Sequence, residues 1–191
     1  MNKAKVQLRF GIIVFMIVLA ALSRLLPHPP NFTPIGGMAL FGAAYFSKKY
    51  WAFLVPLLAL WVSDLILNNV VYAAYFDSFQ WFGGTFLFVA LGFSAIVFFG
   101  MYWLKEVKVS RLLVGSFVAS LLFFLITNIG AWVLDPADMY PNNAAGLIAA
   151  IEMGIPFFWN TLRGDLFFTL VLFGGFELVR RQWLQPQTVQ A

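Results

Sequence analysis

The sequence predicts an all-α integral membrane protein with six transmembrane helices and with both termini in the cytoplasm. Three observations lead to this class. Of the 191 residues, 62% are hydrophobic and only 10% are charged, whereas soluble domains carry about 25% charged residues. Six apolar segments alternate with polar or proline-rich loops. Outside these segments, Lys and Arg occur on only one side of the alternation.

The first three spans are expected at about 8–26, 34–47 and 51–71. A cleaved signal peptide is an alternative for the first, because Ala21-Leu22-Ser23 resembles a cleavage site, but the apolar character continues through Leu26 and favours a retained helix. Thr33 and Pro34 suit the cap and first turn of the second span. That span is short and rich in small residues, which predicts close helix contact, for example through Ala39 and Ala43.

The remaining spans are expected at about 81–104, 110–134 and 156–181. A turn-rich loop at 135–143 and a short outer helix at about 144–153 precede the last span, and Gly154 and Pro156 should end that short helix. No domain boundary is visible, so residues 1–184 are expected to form one transmembrane domain. The polar tail 185–191 is expected to be disordered.

The charged residues orient the spans. Ten Lys and Arg residues fall on the side of the termini, in loops or at the adjoining ends of spans, and the remaining two, Arg24 and Arg163, lie within spans. The ten are Lys3, Lys5, Arg9, Lys48, Lys49, Lys105, Lys108, Arg111, Arg180 and Arg181. By the positive-inside rule the terminal side is cytoplasmic. The loops of the other side are longer and more irregular; they lie at about 27–33, 72–80 and 135–143 and are numbered 1, 3 and 5.

Polar side chains within the spans predict an interior site. Asn160, Arg163 and Asp165 lie in the last span, Asp64 in the third and Asn128 in the fifth. An Arg or Asp near a helix centre costs about 2.5–3.5 kcal/mol on insertion scales, so the charged groups need partners. All five lie in the outer halves of their spans and could converge on a cavity that opens outward.

Helical spacing limits how these groups can pair. Thr161 and Asp165 share one stripe of the last helix, and Arg163 points away from that stripe. A direct pair between Arg163 and Asp165 is therefore not expected. Asp64 is one conceivable partner for Arg163, and Arg24 is one for Asp165.

Further candidates lie near the outer side. Trp61 and Trp132 share helix faces with polar residues and could stack on a ligand. Arg24 could contact a ligand or merely snorkel to the interface, and His28 could do so or be an exposed loop residue. Glu152 could cover the pocket. The structural alternative is that buried polar groups only fix helix packing.

Several function classes are disfavoured. The chain has no cysteine and one histidine, so thiol chemistry and a multi-histidine metal site are not expected. It has no phosphate-binding Gly-x-x-x-x-Gly-Lys-Ser/Thr loop, no Gly-x-Ser-x-Gly and no His-Glu-x-x-His. An acid/base dyad of Asp64 and Asp165 is conceivable, but no nucleophile accompanies it. We therefore expect neither an enzyme nor a cofactor, and the basic loops need no nucleic-acid partner because the topology explains them.

Three stretches carry a resemblance to known proteins. Pro30–Ala43 (PNFTPIGGMALFGA), Thr127–Trp132 (TNIGAW) and Gly154–Leu166 (GIPFFWNTLRGDL) resemble a family of bacterial membrane proteins described as transport proteins. That family is in turn similar to the S components, the substrate-binding subunits of energy-coupling-factor vitamin transporters. The similarity in length, span number and topology extends over nearly the whole chain. The first span, however, lacks the Ala-x-x-x-Ala docking motif that S components often present.

The resemblance implies an S-component-like bundle in the bacterial inner membrane. Such a subunit captures a vitamin-like nutrient from the outside under loops 1, 3 and 5, and other chains supply a coupling subunit and two ATPases. The expected substrate-binding residues are Asp64, Asn128, Arg163, Asn160, Asp165, Trp61, Trp132, Arg24 and His28. The alternative function is a structural or assembly membrane protein of similar six-helix shape, in which the buried charges serve helix register alone.

Overall fold

The computed structural model describes residues 3–135 and 138–184 of the chain. Six α-helices make up most of this part: α1 (Lys3–Leu22), α2 (Ile35–Tyr45), α3 (Tyr50–Ile66), α4 (Phe86–Trp103), α5 (Val109–Leu134) and α6 (Ala144–Val179). A 3₁₀ turn extends α1 to Leu25, and π-helical turns extend α3 to Val71 and α6 to Leu184. The predicted tail at 185–191 lies outside the described residues.

The expected all-α class is confirmed. Among the described residues, four helical stretches are long and apolar enough to cross a membrane, namely Lys3–Leu25, Tyr50–Val71, Phe86–Trp103 and Val109–Leu134. Large apolar side chains also point away from the bundle; Phe15 is 63% exposed and Phe98 is 66% exposed. Apolar surface on this scale suits lipid rather than water. The helices therefore indicate a membrane protein.

The short helix α2 forms the centre of the bundle. Every residue from Ile35 to Ala43 is buried, and α2 packs against α3, α4, α5 and α6. A helix that is apolar all round belongs in such a position. Close packing depends on small residues, as predicted: a Cβ at Gly100 of α4 would lie only 2.9 Å from the Cβ of Ala43.

Two helices begin later than the sequence suggests. Helix α2 starts after Pro34, and no side chain of the preceding loop caps it, so the predicted cap by Thr33 is wrong. Helix α4 starts at Phe86 rather than near residue 81. The Trp81 carbonyl oxygen instead accepts a hydrogen bond from Nε1 of Trp61 at 2.9 Å, and Gly83 and Gly84 form part of the turn that follows.

The predicted break between a short outer helix and the last span is also wrong. Helix α6 runs without interruption for 36 residues, through both Gly154 and Pro156. Pro156 is exposed, so its ring faces away from the neighbouring helices. Gly154 is buried against α5, where close contact favours a residue without a side chain. Neither residue therefore has to end the helix.

The Lys and Arg side chains of the predicted terminal side lie at one end of the bundle. Arg9 donates to the Tyr45 carbonyl oxygen at 3.0 Å, and the Tyr45 hydroxyl donates to Glu177 at 2.8 Å, which joins the start of α1 to the ends of α2 and α6. Phe10 packs on Trp51 and adds the start of α3. The contact between Gly100 and Ala43 places the end of α4 here as well. We call this the cation-rich end; all ten cations that the sequence assigned to the terminal side belong to it.

Candidate ligand pocket between α5, α6 and the 26–34 loop

A small polar pocket lies between α5, α6 and the loop that joins α1 to α2. Its volume is about 110 Å³. Its polar lining comes from Asn31 of the loop, Thr127 and Asn128 of α5, and Thr161 of α6. Phe123, Phe124, Phe157 and Gly154 complete the walls. No charged side chain is among these lining residues.

The side chains of α5 are held in place by their own helix. Thr127 donates its hydroxyl hydrogen to the Phe123 carbonyl oxygen at 2.8 Å, and the Asn128 amide donates to the Phe124 carbonyl oxygen at 2.7 Å. The Asn128 side-chain carbonyl lies beside Gly154, where a Cβ would overlap it. Glycine at 154 therefore makes room for the amide that lines the pocket.

The third wall is irregular backbone that packs closely on α6. Asn31 has a φ of 61°, a left-handed conformation that asparagine tolerates better than most residues. The ring of Phe32 packs on Phe168 at 5.8 Å between centroids. A Cβ at Gly164 would lie 2.8 Å from the Thr33 backbone nitrogen. The loop thus reaches into the bundle at the level of Gly164.

Asp165 lies deeper than the pocket and caps the central helix. The residue is 1% exposed, and its carboxylate accepts hydrogen bonds from the Gly36 backbone N–H at 2.8 Å and from the Ser120 hydroxyl at 2.7 Å. The first N–H groups of a helix lack internal partners and carry partial positive charge, so a carboxylate stabilises them. The predicted stripe is confirmed, since Thr161 and Asp165 are both buried. Asp165 itself does not line the pocket.

Arg24 and Asp64 form an ion pair between α1 and α3. The Arg24 guanidinium lies 2.7 Å from the Asp64 carboxylate, and it also donates to the Ser63 hydroxyl at 2.6 Å. Both conceivable pairings from the sequence, Asp64 with Arg163 and Arg24 with Asp165, are therefore wrong. The exposed His28 ring contacts backbone instead, with Nε2 3.3 Å from the Arg24 carbonyl oxygen.

Arg163 and Asn160 lie on the outside of α6. Arg163 is exposed and makes one long hydrogen bond to the Asn160 side chain, at 3.4 Å. The prediction that Arg163 points away from Asp165 is confirmed. The Arg163 side chain therefore also points away from the pocket. Glu152 is exposed as well. The structure does not bring these three residues to the pocket.

The two candidate tryptophans fix loops instead of lining the polar pocket. Trp61 donates to the Trp81 carbonyl oxygen, and Trp132 donates to the Pro141 carbonyl oxygen at 3.0 Å. Trp61 also lines an apolar groove between α3 and α4.

Of the nine residues proposed from the sequence, Asn128 alone lines the pocket. The sequence reasoning missed three polar lining residues, Asn31, Thr127 and Thr161. Thr161 could have been found, since it shares the predicted stripe with Asp165. Asn31 carried no comparable signal, because a residue in a proline-rich loop has no helical periodicity.

Comparisons with known proteins give one match. Searches of the curated proteins and of the solved structures found no significant match. The similarity to S components therefore stays a prediction from the sequence. A protein-family model matches residues 4–188, which is nearly the whole chain. The protein therefore belongs to a family of unknown function, DUF6580.

Proposed function

We propose that the protein is a membrane subunit of an uptake transporter that binds a small polar solute in the pocket between α5, α6 and the 26–34 loop. The observation that carries this proposal is the incomplete central helix. Eleven residues of α2 span roughly 16 Å, about half of a hydrocarbon core of roughly 30 Å. The 26–34 loop has to cover the remaining depth.

Irregular backbone at membrane depth is tolerated only where it is buried in protein or lines a polar cavity. The carboxyl-terminal part of the loop meets these conditions, since half-buried Thr33 packs on Gly164 and Asn31 lines the pocket. In known transporter folds, interrupted helices of this kind form substrate sites. The combination of a short helix, an irregular segment and a polar pocket favours solute binding over helix packing alone.

The lining points to an uncharged, hydrogen-bonding solute. Two side-chain amides and two hydroxyls face aromatic rings, and the charges of Arg24 and Asp64 are paired elsewhere. A pocket of about 110 Å³ is smaller than the roughly 300–1,000 Å³ of typical ligand sites. A vitamin-sized ligand would therefore require the 26–34 loop to move away from α6.

We further propose that the chain crosses the bacterial inner membrane six times, with α2 and its loop as one crossing and α6 as another. The cation-rich end then faces the cytoplasm, and the pocket is reached from outside. Uptake would need a coupling subunit and ATPases from other chains, as the resemblance to S components implies.

Mass spectrometry of small molecules that co-purify with the protein tests solute binding. We expect wild type to retain a polar compound, and Asn128→Ala and Thr161→Val to bind that compound about tenfold more weakly, as the loss of one hydrogen bond of about 1.4 kcal/mol predicts. The control is Asn142→Ala, the same change at an exposed residue outside the pocket. If wild type retains nothing, or all three variants bind alike, the solute-binding proposal fails.

A structural or assembly role is the second candidate. The ion pair of Arg24 with Asp64 and the hydrogen bonds to Asp165 favour it, because these groups satisfy each other without a ligand. On this proposal the protein purifies without a solute, and variants of the ion pair lower stability while variants of the pocket have little effect.

A further inference from the structure

An apolar groove runs between α3 and α4 on the outside of the bundle. Its volume is about 610 Å³. Tyr50 lies at one end of the groove and Phe86 at the other, with Leu54 and Leu57 between them. The groove is separate from the polar pocket, with which it shares no lining residue.

The groove has the length of one lipid leaflet. From Tyr50 to Trp61, α3 rises by roughly 16 Å, and half of the hydrocarbon core is roughly 15 Å thick. Tyr50 begins α3 at the cation-rich end. The groove therefore follows the direction and depth of an acyl chain whose headgroup lies at that end.

The lining favours a flexible chain over a partner helix. Five aromatic residues and three leucines line the groove, and no glycine, alanine or serine is among them. Helices in membranes associate through small residues that let the backbones approach. Within the bundle, α2 shows this kind of contact, whereas the α3–α4 groove does not.

Two lysine side chains lie near the end of the groove at which a lipid headgroup would be located. Lys48 is exposed two residues before Tyr50, and Lys105 lies at the end of α4 with its Nζ 5.1 Å from the centre of the Tyr102 ring. The packing of Phe53 on Phe98, at 5.0 Å between centroids, brings this end of α4 beside the start of α3. Neither lysine forms an ion pair within the described parts of the chain. Their charge is complementary to a phosphate.

We propose that an anionic phospholipid of the leaflet at the cation-rich end binds here, with one acyl chain in the α3–α4 groove and its phosphate at Lys48 and Lys105. This site is independent of the proposed solute site and of the direction in which the bundle faces.

Native mass spectrometry of the detergent-purified protein with added phosphatidylglycerol or phosphatidylcholine tests the site. Wild type should retain phosphatidylglycerol preferentially. Leu54→Trp, which fills the groove, should lower retention of both lipids, and Val18→Trp in the neighbouring α1–α3 groove is the matched control. Because Leu54 is exposed, the larger side chain does not enter the core.

The headgroup contact has its own test in surface variants that leave the groove intact. The double variant Lys48→Gln/Lys105→Gln should reduce the preference for phosphatidylglycerol by at least about fivefold, since a juxtamembrane lysine contributes about that factor. Lys3→Gln, which removes an exposed cation of α1, should leave the preference unchanged. Lipid retention unaffected by both the groove and the lysine variants would overturn the proposal. The proposal would also be overturned if Leu54→Trp released a second copy or a bound polypeptide and left lipid retention unchanged. That result would show that a helix occupies the groove.

Discussion

At the residue scale, the polar groups of this membrane chain separate into two kinds. Arg24, Asp64 and Asp165 are satisfied by other protein groups, which is how buried charges are usually stabilised. Asn31 and Asn128 line the candidate pocket, and within the described residues the Asn31 side chain and the Asn128 side-chain carbonyl form no hydrogen bond to another protein group. Because the charged groups are paired within the protein, the positions of the charges in the sequence did not predict the lining of the candidate pocket.

The ion pair should make a measurable contribution to stability. Arg24→Gln and Asp64→Asn should each lower the free energy of unfolding by about 2 kcal/mol, less than for a fully buried pair because both side chains retain some exposure. The double variant should cost less than the sum, with a coupling energy of about 1–2 kcal/mol. Unfolding in mixed micelles measures all three. Arg163→Gln, at an exposed arginine, should stay within about 0.5 kcal/mol of wild type, and additive effects of the pair would contradict the expectation.

Part of this residue-level picture was readable from the sequence, but the partners of the charged groups and most of the pocket lining were not. Helical spacing correctly separated Arg163 from Asp165 and placed Thr161 with Asp165. It could not show that α1 packs beside α3, which brings Arg24 to Asp64. Spacing gives the direction of a side chain about its own helix, whereas a pair also depends on which helices are neighbours.

At the element scale, α2 is the helix on which the others pack. The small residues and the short length of α2 predicted close helix contact, and the structure places this helix at the centre of the bundle. The continuity of α6 could not be predicted in the same way. Gly154 and Pro156 resemble a helix end in sequence, and only the neighbouring helix shows why the chain continues.

Two identical substitutions should have opposite effects on stability. Gly100→Ala adds a Cβ within 2.9 Å of the Ala43 Cβ, so we expect a loss of about 1–3 kcal/mol from overpacking against α2. Gly174→Ala adds a Cβ with no atom of another element within 4 Å, so the better helix propensity should add about 0.5–1 kcal/mol. Unfolding in mixed micelles compares them. Equal effects of the two changes would show that α2 is not closely packed at Gly100.

At the scale of the whole molecule, the bundle has one cation-rich end and one end with longer loops. The proposed orientation follows from this asymmetry. The positions of the charges were predictable, because the rule that governs them acts on loops and requires no knowledge of packing.

The orientation can be tested without first removing reactive thiols, because the chain has no cysteine. Ser47→Cys lies at the cation-rich end and Ser78→Cys in the loop before α4, and both residues are exposed. In intact cells, a membrane-impermeant maleimide should label Ser78→Cys, and it should label Ser47→Cys only after permeabilisation. The reverse pattern would place the pocket on the cytoplasmic side and would exclude capture from outside.

The position of α2 also constrains how the protein is made. Eleven apolar residues are too few for the translocon to release into lipid as an independent span. The helices that surround α2 include α4, α5 and α6, which the ribosome delivers later. The Gly36 N–H at the amino end of α2 gains its carboxylate acceptor only after Asp165 of α6 has been synthesised. Helix α2 can therefore take its final place only after α6 has been synthesised, and a chain truncated before α6 would lack the carboxylate that caps α2.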